Sequence, residues 1–195
     1  MEVRTDRVGL LVEQLAESME FSRARMEGLT DAEYLWEPVA GMWSVRRRDE
    51  NVTTDPYGPG EWQIDREFTD PFEPGTPTTI AWRLSHVWSC FAGRWEWTFG
   101  PRQTSPADVV AFSPHAEVTL SGIWESVTAW NAGMESLSDE ELDRPGFGQY
   151  PWGLDPELPV ISIARWVNRE FIHHMAEVAL LRDLYAAGDL SASGA

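Results

Sequence analysis

A long uninterrupted helical pattern near the C-terminal end constrains the fold more than any other part of the sequence. Residues 161–185 contain neither proline nor glycine. Positions spaced by three and four residues form one face of an α-helix, and here that face consists of Ile163, Val167, Glu170, His174, Val178, Leu181 and Tyr185. Burying a carboxylate and an imidazole in such a face is costly unless something pairs them. Glu170 and His174 therefore either pair with each other or bind a metal ion together.

Three further segments show amphipathic helical periodicity, at residues 6–28, 77–99 and 113–137. Thr76 is the predicted N-cap of the second helix, with Pro77 in its first turn, and Gly188 is the predicted C-terminal stop of the fourth. No segment shows a clear strand pattern. The predicted fold class is all-α, a four-helix bundle forming one domain over residues 1–188, with a short flexible tail at 189–195.

Two short segments that follow long helices share a capping signature. They read Leu29-Thr30-Asp31-Ala32-Glu33 and Leu137-Ser138-Asp139-Glu140-Glu141. A Thr or Ser followed three residues later by Glu is typical of a helix N-terminus. The repetition predicts a short helix at each place and suggests a helix-pair unit used twice.

Residues 36–75 form a long connection that is rich in aromatic side chains. Proline and glycine recur throughout it, together with Trp36, Trp43, Tyr57, Trp62 and Phe72. A connection of this length inside a compact domain is often functional. We predict a lid that packs on the helices, and the 11 tryptophans of the chain suggest that some of them line a pocket.

The charge balance excludes several classes of partner. The net charge is −17, which argues against binding to nucleic acid or to an anionic membrane. The run Arg46-Arg47-Arg48 is followed at once by Asp49 and Glu50, which predicts a loop salt-bridge cluster. With a single cysteine there is no intrachain disulfide. An acidic first segment and the lack of a membrane-length apolar run predict a cytoplasmic protein.

The four histidines are the main candidates for chemistry: His86, His115, His173 and His174. Glu170 and His174 lie one helical turn apart, and His86 on the second helix would complete a set of two imidazoles and one carboxylate. Such a set leaves coordination positions open and suits a catalytic divalent metal. Two alternatives remain: a buried Glu170–His174 pair without metal, and a di-iron site using Glu170 and His173, for which a second such motif is missing.

The neighbours of these residues have more than one interpretation. His173 points one residue off the helix face, beside Glu177, and is predicted to be a supporting or interface residue. His115 is predicted to be exposed. Trp82 and Cys90 share a face with His86. Cys90 is better explained as a small buried apolar residue than as a ligand or nucleophile.

The chain resembles the DinB-like superfamily of metal-binding four-helix bundles, particularly its actinobacterial branch. The resemblance covers essentially the whole chain. It is carried by Leu29-Thr30-Asp31 with Leu35-Trp36, by Thr79-Ile80-Ala81-Trp82-Arg83-Leu84-Ser85-His86, and by Asn168-Arg169-Glu170-Phe171-Ile172-His173-His174-Met175-Ala176-Glu177. The family takes one histidine from the second helix and a His-x-x-x-His pair from the fourth. His86 and His174 match this pattern, and Glu170 stands where the pattern has its third histidine.

The resemblance implies one divalent ion held by His86, Glu170 and His174, with zinc, nickel, manganese and iron not distinguished. It also implies a metal-dependent enzyme, such as an S-transferase or isomerase that uses mycothiol or a related low-molecular-weight thiol on a small-molecule electrophile. In that mechanism His173 would orient Glu170. Bundles of this family are often dimers. The alternative is a non-catalytic dimeric bundle or small-molecule binding protein with a vestigial or structural metal site.

Overall fold

Six α-helices and one short β-ribbon make up the structure, which is a computed structural model describing residues 5–66 and 75–193, with side chains described up to residue 188. The elements are α1 (Arg7–Met26), α2 (Asp31–Tyr34), β1 (Val45–Arg47), β2 (Trp62–Ile64), α3 (Ile80–Thr98), α4 (Ala116–Glu135), α5 (Asp139–Leu142) and α6 (Val160–Ser193). Single 3₁₀ turns lie at Arg48–Glu50, Pro106–Asp108 and Asp155–Glu157.

The four long helices, α1, α3, α4 and α6, form the bundle. Helices α3 and α1 each pack against both α4 and α6, so the predicted all-α four-helix bundle is confirmed. An aromatic cluster fills the centre, where Phe91 meets Phe171 and Trp130 edge-on at 5.9 Å and 6.5 Å between ring centroids. All three rings are at most 1% exposed. None of the described helices is both long and apolar enough to cross a membrane.

Helix α3 begins later than the sequence predicts. Thr79, not Thr76, is its N-cap, and the Thr79 hydroxyl accepts a hydrogen bond from the Trp82 amide. The preceding residues are held in extended conformation because the Trp43 amide donates to the Pro77 carbonyl and the Thr79 amide donates to the Trp43 carbonyl. Because these hydrogen bonds hold Pro77 and Thr79 against the long connection, α3 begins only at Ile80.

Two other helix ends differ from prediction. Helix α6 runs through Gly188 to Ser193, so Gly188 does not stop it, since a single glycine inside a helix costs only about 1 kcal/mol. The helix thus extends into the segment predicted to be a tail, and residues 194–195 lie outside the described part. Helix α4 starts at Ala116, with His115 as its N-cap residue.

The long connection contains regular structure that the sequence did not reveal. Strands β1 and β2 pair antiparallel, with Val45 opposite Ile64, although no segment of the sequence shows a clear strand pattern. Three-residue strands are too short to show an alternating pattern. Tyr57 is buried at 9% exposure, which confirms that the aromatics pack on the body. Phe72 lies outside the described residues.

The arginine run is tied to carboxylates, as predicted. Arg46 bonds both Glu37 and Asp65, at 2.6 Å and 2.9 Å. Arg47 lies 2.9 Å from Glu61. These ion pairs fix the ribbon to the start of the connection, so the run serves structure.

The two short helices cap the long helices of the opposite half. Thr30 and Ser138 are the N-caps of α2 and α5, as predicted. In addition, the Asp31 carboxylate accepts the Ala116 amide at 2.8 Å at the start of α4. The Asp139 carboxylate accepts the Val8 amide at 3.0 Å at the start of α1. Each half of the bundle therefore satisfies unpaired amides that the other half leaves at a helix N-terminus.

Candidate metal centre

Helices α3 and α6 bring the three predicted ligand residues together. His86 Nε2 lies 3.5 Å from Glu170 Oε2, and His174 Nε2 lies 3.4 Å from the same oxygen. One donor atom from each residue falls within 4.8 Å of the other two. The helices run antiparallel, because contacts that move forward along α3 from His86 to Phe91 move backward along α6 from His174 to Phe171.

The spacing of these donor atoms fits a single ion. Two ligands about 2.1 Å from one ion at a tetrahedral angle are about 3.4 Å apart. The measured separations, 3.5 Å and 3.4 Å, agree with that value. Two imidazoles and one carboxylate form a donor set suited to divalent transition metals, with further positions left for water or a ligand.

A carboxylate and a guanidinium fix the orientation of the His174 ring. His174 Nδ1 lies 2.9 Å from Glu177 Oε2, and Arg83 from α3 contacts the same Glu177 oxygen. A hydrogen bond from Nδ1 to Glu177 leaves the Nε2 lone pair directed at Glu170. Metal-binding histidines usually make such a second hydrogen bond to a carboxylate or carbonyl.

His86 is held by stacking. Its ring lies parallel to the Trp82 indole, with 5.1 Å between centroids and 7° between planes. Trp82 in turn donates its Nε1–H to the Asp65 carbonyl at 2.7 Å. The long connection therefore fixes the plane of a candidate ligand through a single tryptophan.

The three residues of the candidate metal centre favour different protonation states. Burial disfavours the Glu170 carboxylate, but contacts with His174, His86 and Arg169 outweigh it and hold the pKa of Glu170 well below its usual range. Burial lowers the pKa of His174. Burial also opposes the charge on His86, but Cys90 and Glu170 outweigh it and raise the pKa of His86 to about 10. A metal ion would have to displace the His86 proton.

His173 does not play the part that the resemblance implied. Its side chain is 63% exposed, and its Nε2 lies 3.3 Å from Glu177. Glu170 is instead held on its free oxygen by Arg169, at 2.8 Å. The prediction that His173 orients Glu170 was wrong, because consecutive helix residues point about 100° apart and His173 turns toward the surface.

A second ion beside the first is disfavoured. His173, His174 and Glu177 also bring donor atoms within 4.8 Å of one another. However, the Arg83 guanidinium contacts Glu177 and lies 3.4 Å from His174 Nδ1. Its positive charge occupies the place that another cation would need. The di-iron alternative gains no support from this arrangement.

Cys90 is less buried than a small core residue would be. It is partly exposed, and its Sγ lies 3.5 Å from His86 Nε2. It is not part of the cluster of His86, Glu170 and His174. The predicted exposure of His115 is confirmed: its side chain is 64% exposed and pairs with Asp31.

A cavity of about 190 Å³ opens beside the candidate metal centre. On α3 it follows one face from His86 through Cys90 to Arg94. Trp166 on α6, one turn before Glu170, forms the opposite wall. The long connection and the segment before α6 add three aromatic side chains, Tyr57, Tyr150 and Trp152. We call this space the aromatic cavity. The spacing of four residues along α3 would have marked Arg94. The aromatic-rich connection indicated Tyr57, whereas no sequence signal singled out Tyr150.

Replacing Glu177 by glutamine should weaken metal binding without abolishing it. The amide is uncharged, so it accepts more weakly from His174 and no longer pairs with the Arg83 guanidinium, and the ring is held less firmly. Losing such a supporting partner costs roughly 10–100-fold in metal affinity. Competition titration with a chelator would measure this. Glu125→Gln, at an exposed carboxylate on α4, is the control and should leave the affinity unchanged.

Comparison with known proteins gives one positive result. A family model described as the DinB superfamily matches residues 49–178, which include all three candidate ligands. No curated protein and no solved structure matches the chain significantly.

Proposed function

The chain belongs to the DinB superfamily, and we propose that it is a divalent-metal-dependent enzyme that transfers a low-molecular-weight thiol to a small electrophile. The superfamily includes metal-dependent enzymes, and it is generally metal-binding. The observation that carries the proposal is the convergence of His86 Nε2, His174 Nε2 and Glu170 Oε2 within 4.8 Å. In this proposal these three residues hold the ion.

The residues around the ion each have a defined task in this proposal. A bound divalent ion supplies Lewis acidity, which lowers the pKa of a thiol or water toward neutrality. Glu177 and Arg83 keep His174 in the tautomer that presents Nε2. Trp82 holds the plane of the His86 ring. The walls of the aromatic cavity exclude water from the electrophile.

The proposal also includes S-transfer as the reaction type and a mycothiol-type thiol as the cofactor. It further includes a cytoplasmic location and a homodimer. What supports a reaction over a purely structural ion is the cavity of about 190 Å³ that reaches His86. A structural site would have its fourth position closed by protein. The alternative, a non-catalytic bundle or binding protein with a structural metal, predicts that closure.

Cobalt substitution tests the proposal. Protein purified without chelator and loaded with Co²⁺ should bind about one ion per chain. Its visible spectrum should change when a small thiol is added, and the thiol should be consumed when electrophiles are supplied. Cys90→Ser is measured alongside, because it removes the chain's own thiol, and a response that persists in this variant comes from the added thiol and not from Cys90. A spectrum that ignores added thiols, with no thiol consumed, would favour the structural alternative.

A further inference from the structure

The aromatic cavity differs in charge from the rest of the protein. The chain carries a net charge of −17, yet among the described residues that line the cavity none is acidic and two are arginines, Arg66 and Arg94. A separate depression of about 330 Å³ between α3 and α4 shows the opposite character, since Glu96 and Glu125 line it. In the described part of the chain, the walls of the cavity beside the candidate metal centre therefore carry two guanidinium groups and no carboxylate.

We propose that the aromatic cavity binds a one-ring aromatic carboxylate, with the carboxylate on Arg94 and the ring between the aromatic walls. This inference rests on the proposed function only for the role of the ligand, which would be the substrate and would carry on its ring the leaving group that the thiol displaces. The recognition itself depends on residues outside the metal cluster.

Arg94 is rigidly presented to the cavity. Its guanidinium carbon lies 3.6 Å from the centroid of Tyr150 and 4.7 Å from that of Trp166. Its Nε faces Asp155 at 2.8 Å, and the arginine side chain is only 11% exposed. The Nε side of Arg94 faces Asp155 and rings cover its plane. Its terminal nitrogens are therefore the donors that a ligand can share with the Tyr150 hydroxyl. A fixed planar guanidinium suits the two-point recognition of a carboxylate.

The position of Arg94 sets the length of the ligand. Arg94 lies eight residues after His86 on α3, which corresponds to about 12 Å along the helix axis. Long side chains on a helix lean toward its N-terminus, which brings the guanidinium closer to His86. A carboxylate on Arg94 therefore leaves room for about one ring before the candidate metal centre.

The volume of the cavity agrees with a one-ring ligand. An engineered apolar cavity of about 150 Å³ in another protein holds benzene, and the aromatic cavity measures about 190 Å³. Trp152 stands at its mouth: it is 42% exposed and meets Tyr57 and Tyr150 edge-on, at 5.7 Å and 6.2 Å between centroids. Rings arranged in this way favour a flat aromatic guest.

Calorimetric titration with benzoate and with benzyl alcohol tests the proposal. The two probes share a ring and differ in charge. We expect the wild-type protein to bind benzoate at least about tenfold more tightly, as is typical of a charge-assisted hydrogen bond. The double variant Arg94→Gln/Asp155→Asn should lose this preference. Changing both partners avoids leaving Asp155 buried without its counter-ion.

Two controls separate the alternatives. Arg23→Gln removes an arginine that lies 4.7 Å from the Trp124 ring, the same kind of contact at another place, and should keep the preference. All titrations are done with and without zinc, and metal content is measured for each variant. A preference seen only with zinc and unchanged in the double variant would mean that benzoate binds the ion, which would overturn the proposal.

The remaining outcomes are also decisive. Equal affinity for the two probes would overturn the anionic character of the site, and no binding of either would overturn the site itself. If the wild-type protein takes up no metal but still prefers benzoate, this inference is supported and the proposed enzyme function is contradicted. The two proposals therefore fail by different measurements.

Discussion

Replacing His174 by alanine should reduce the metal content from about one ion per chain to almost none. The variant removes one of three donor atoms that converge within 4.8 Å, and the remaining His86 and Glu170 cannot close around an ion alone. The loss should exceed the roughly 10–100-fold expected for a supporting residue such as Glu177. Elemental analysis of protein purified without chelator, before and after adding Zn²⁺, Ni²⁺ or Mn²⁺, measures it.

His173→Ala is the matched control for this experiment. His173 is the neighbouring residue, carries the same ring and is 63% exposed, so its loss should leave the metal content unchanged. Equal loss in both variants would indicate damage to α6 and not to a metal site. Wild-type protein that takes up no ion under any of these conditions would contradict the metal site and leave a paired Glu170 and His174.

Replacing Phe171 by alanine should destabilise the fold by about 3–5 kcal/mol. Phe171 is fully buried and joins α6 to α3 and α4 through edge contacts with Phe91 at 5.9 Å and Trp124 at 6.5 Å. Removing the ring leaves a cavity between three helices that cannot easily close. For a domain stable by about 5–15 kcal/mol, this is a large fraction of the total.

Urea denaturation of metal-free protein measures this effect, because a bound ion would add stability of its own. Ile172→Ala is the control at the next position. Ile172 is 39% exposed, so its loss should cost under about 1 kcal/mol. A similar loss of stability in both variants would contradict the central place of Phe171 in the core.

Residues on one helix face were predictable, and contacts between elements were not. The spacing of Glu170 and His174 is a property of α6 alone. It correctly predicted that these two candidate ligands lie next to each other. Arg83 escaped notice because its contact with Glu177 depends on how α3 and α6 are rotated against each other. The sequence places the N-cap at Thr76 instead of Thr79 for a related reason, since the pairing of Trp43 with Pro77 and Thr79 involves residues far apart in the sequence.

The aromatic cavity shows the same limit. Arg94 lies on the face of α3 that carries His86 and Cys90, so its direction follows from the sequence. Asp155 and Tyr150, which hold it in place, come from a loop without periodicity. Sequence patterns report the elements, whereas the loops that surround a site are defined only once the elements have packed.

The exchange of caps between the two halves of the bundle has a consequence for synthesis on the ribosome. Helix α1 has its own N-cap, Asp6, which accepts the Gly9 amide, but its Val8 amide is satisfied by Asp139, which lies 131 residues further along the chain. At about 5–20 residues per second, α1 leaves the ribosome roughly ten seconds before Asp139 is made. During that interval its apolar face also lacks the α4 and α6 surfaces that cover it. The nascent N-terminal half therefore reaches its final form only when the C-terminal half arrives.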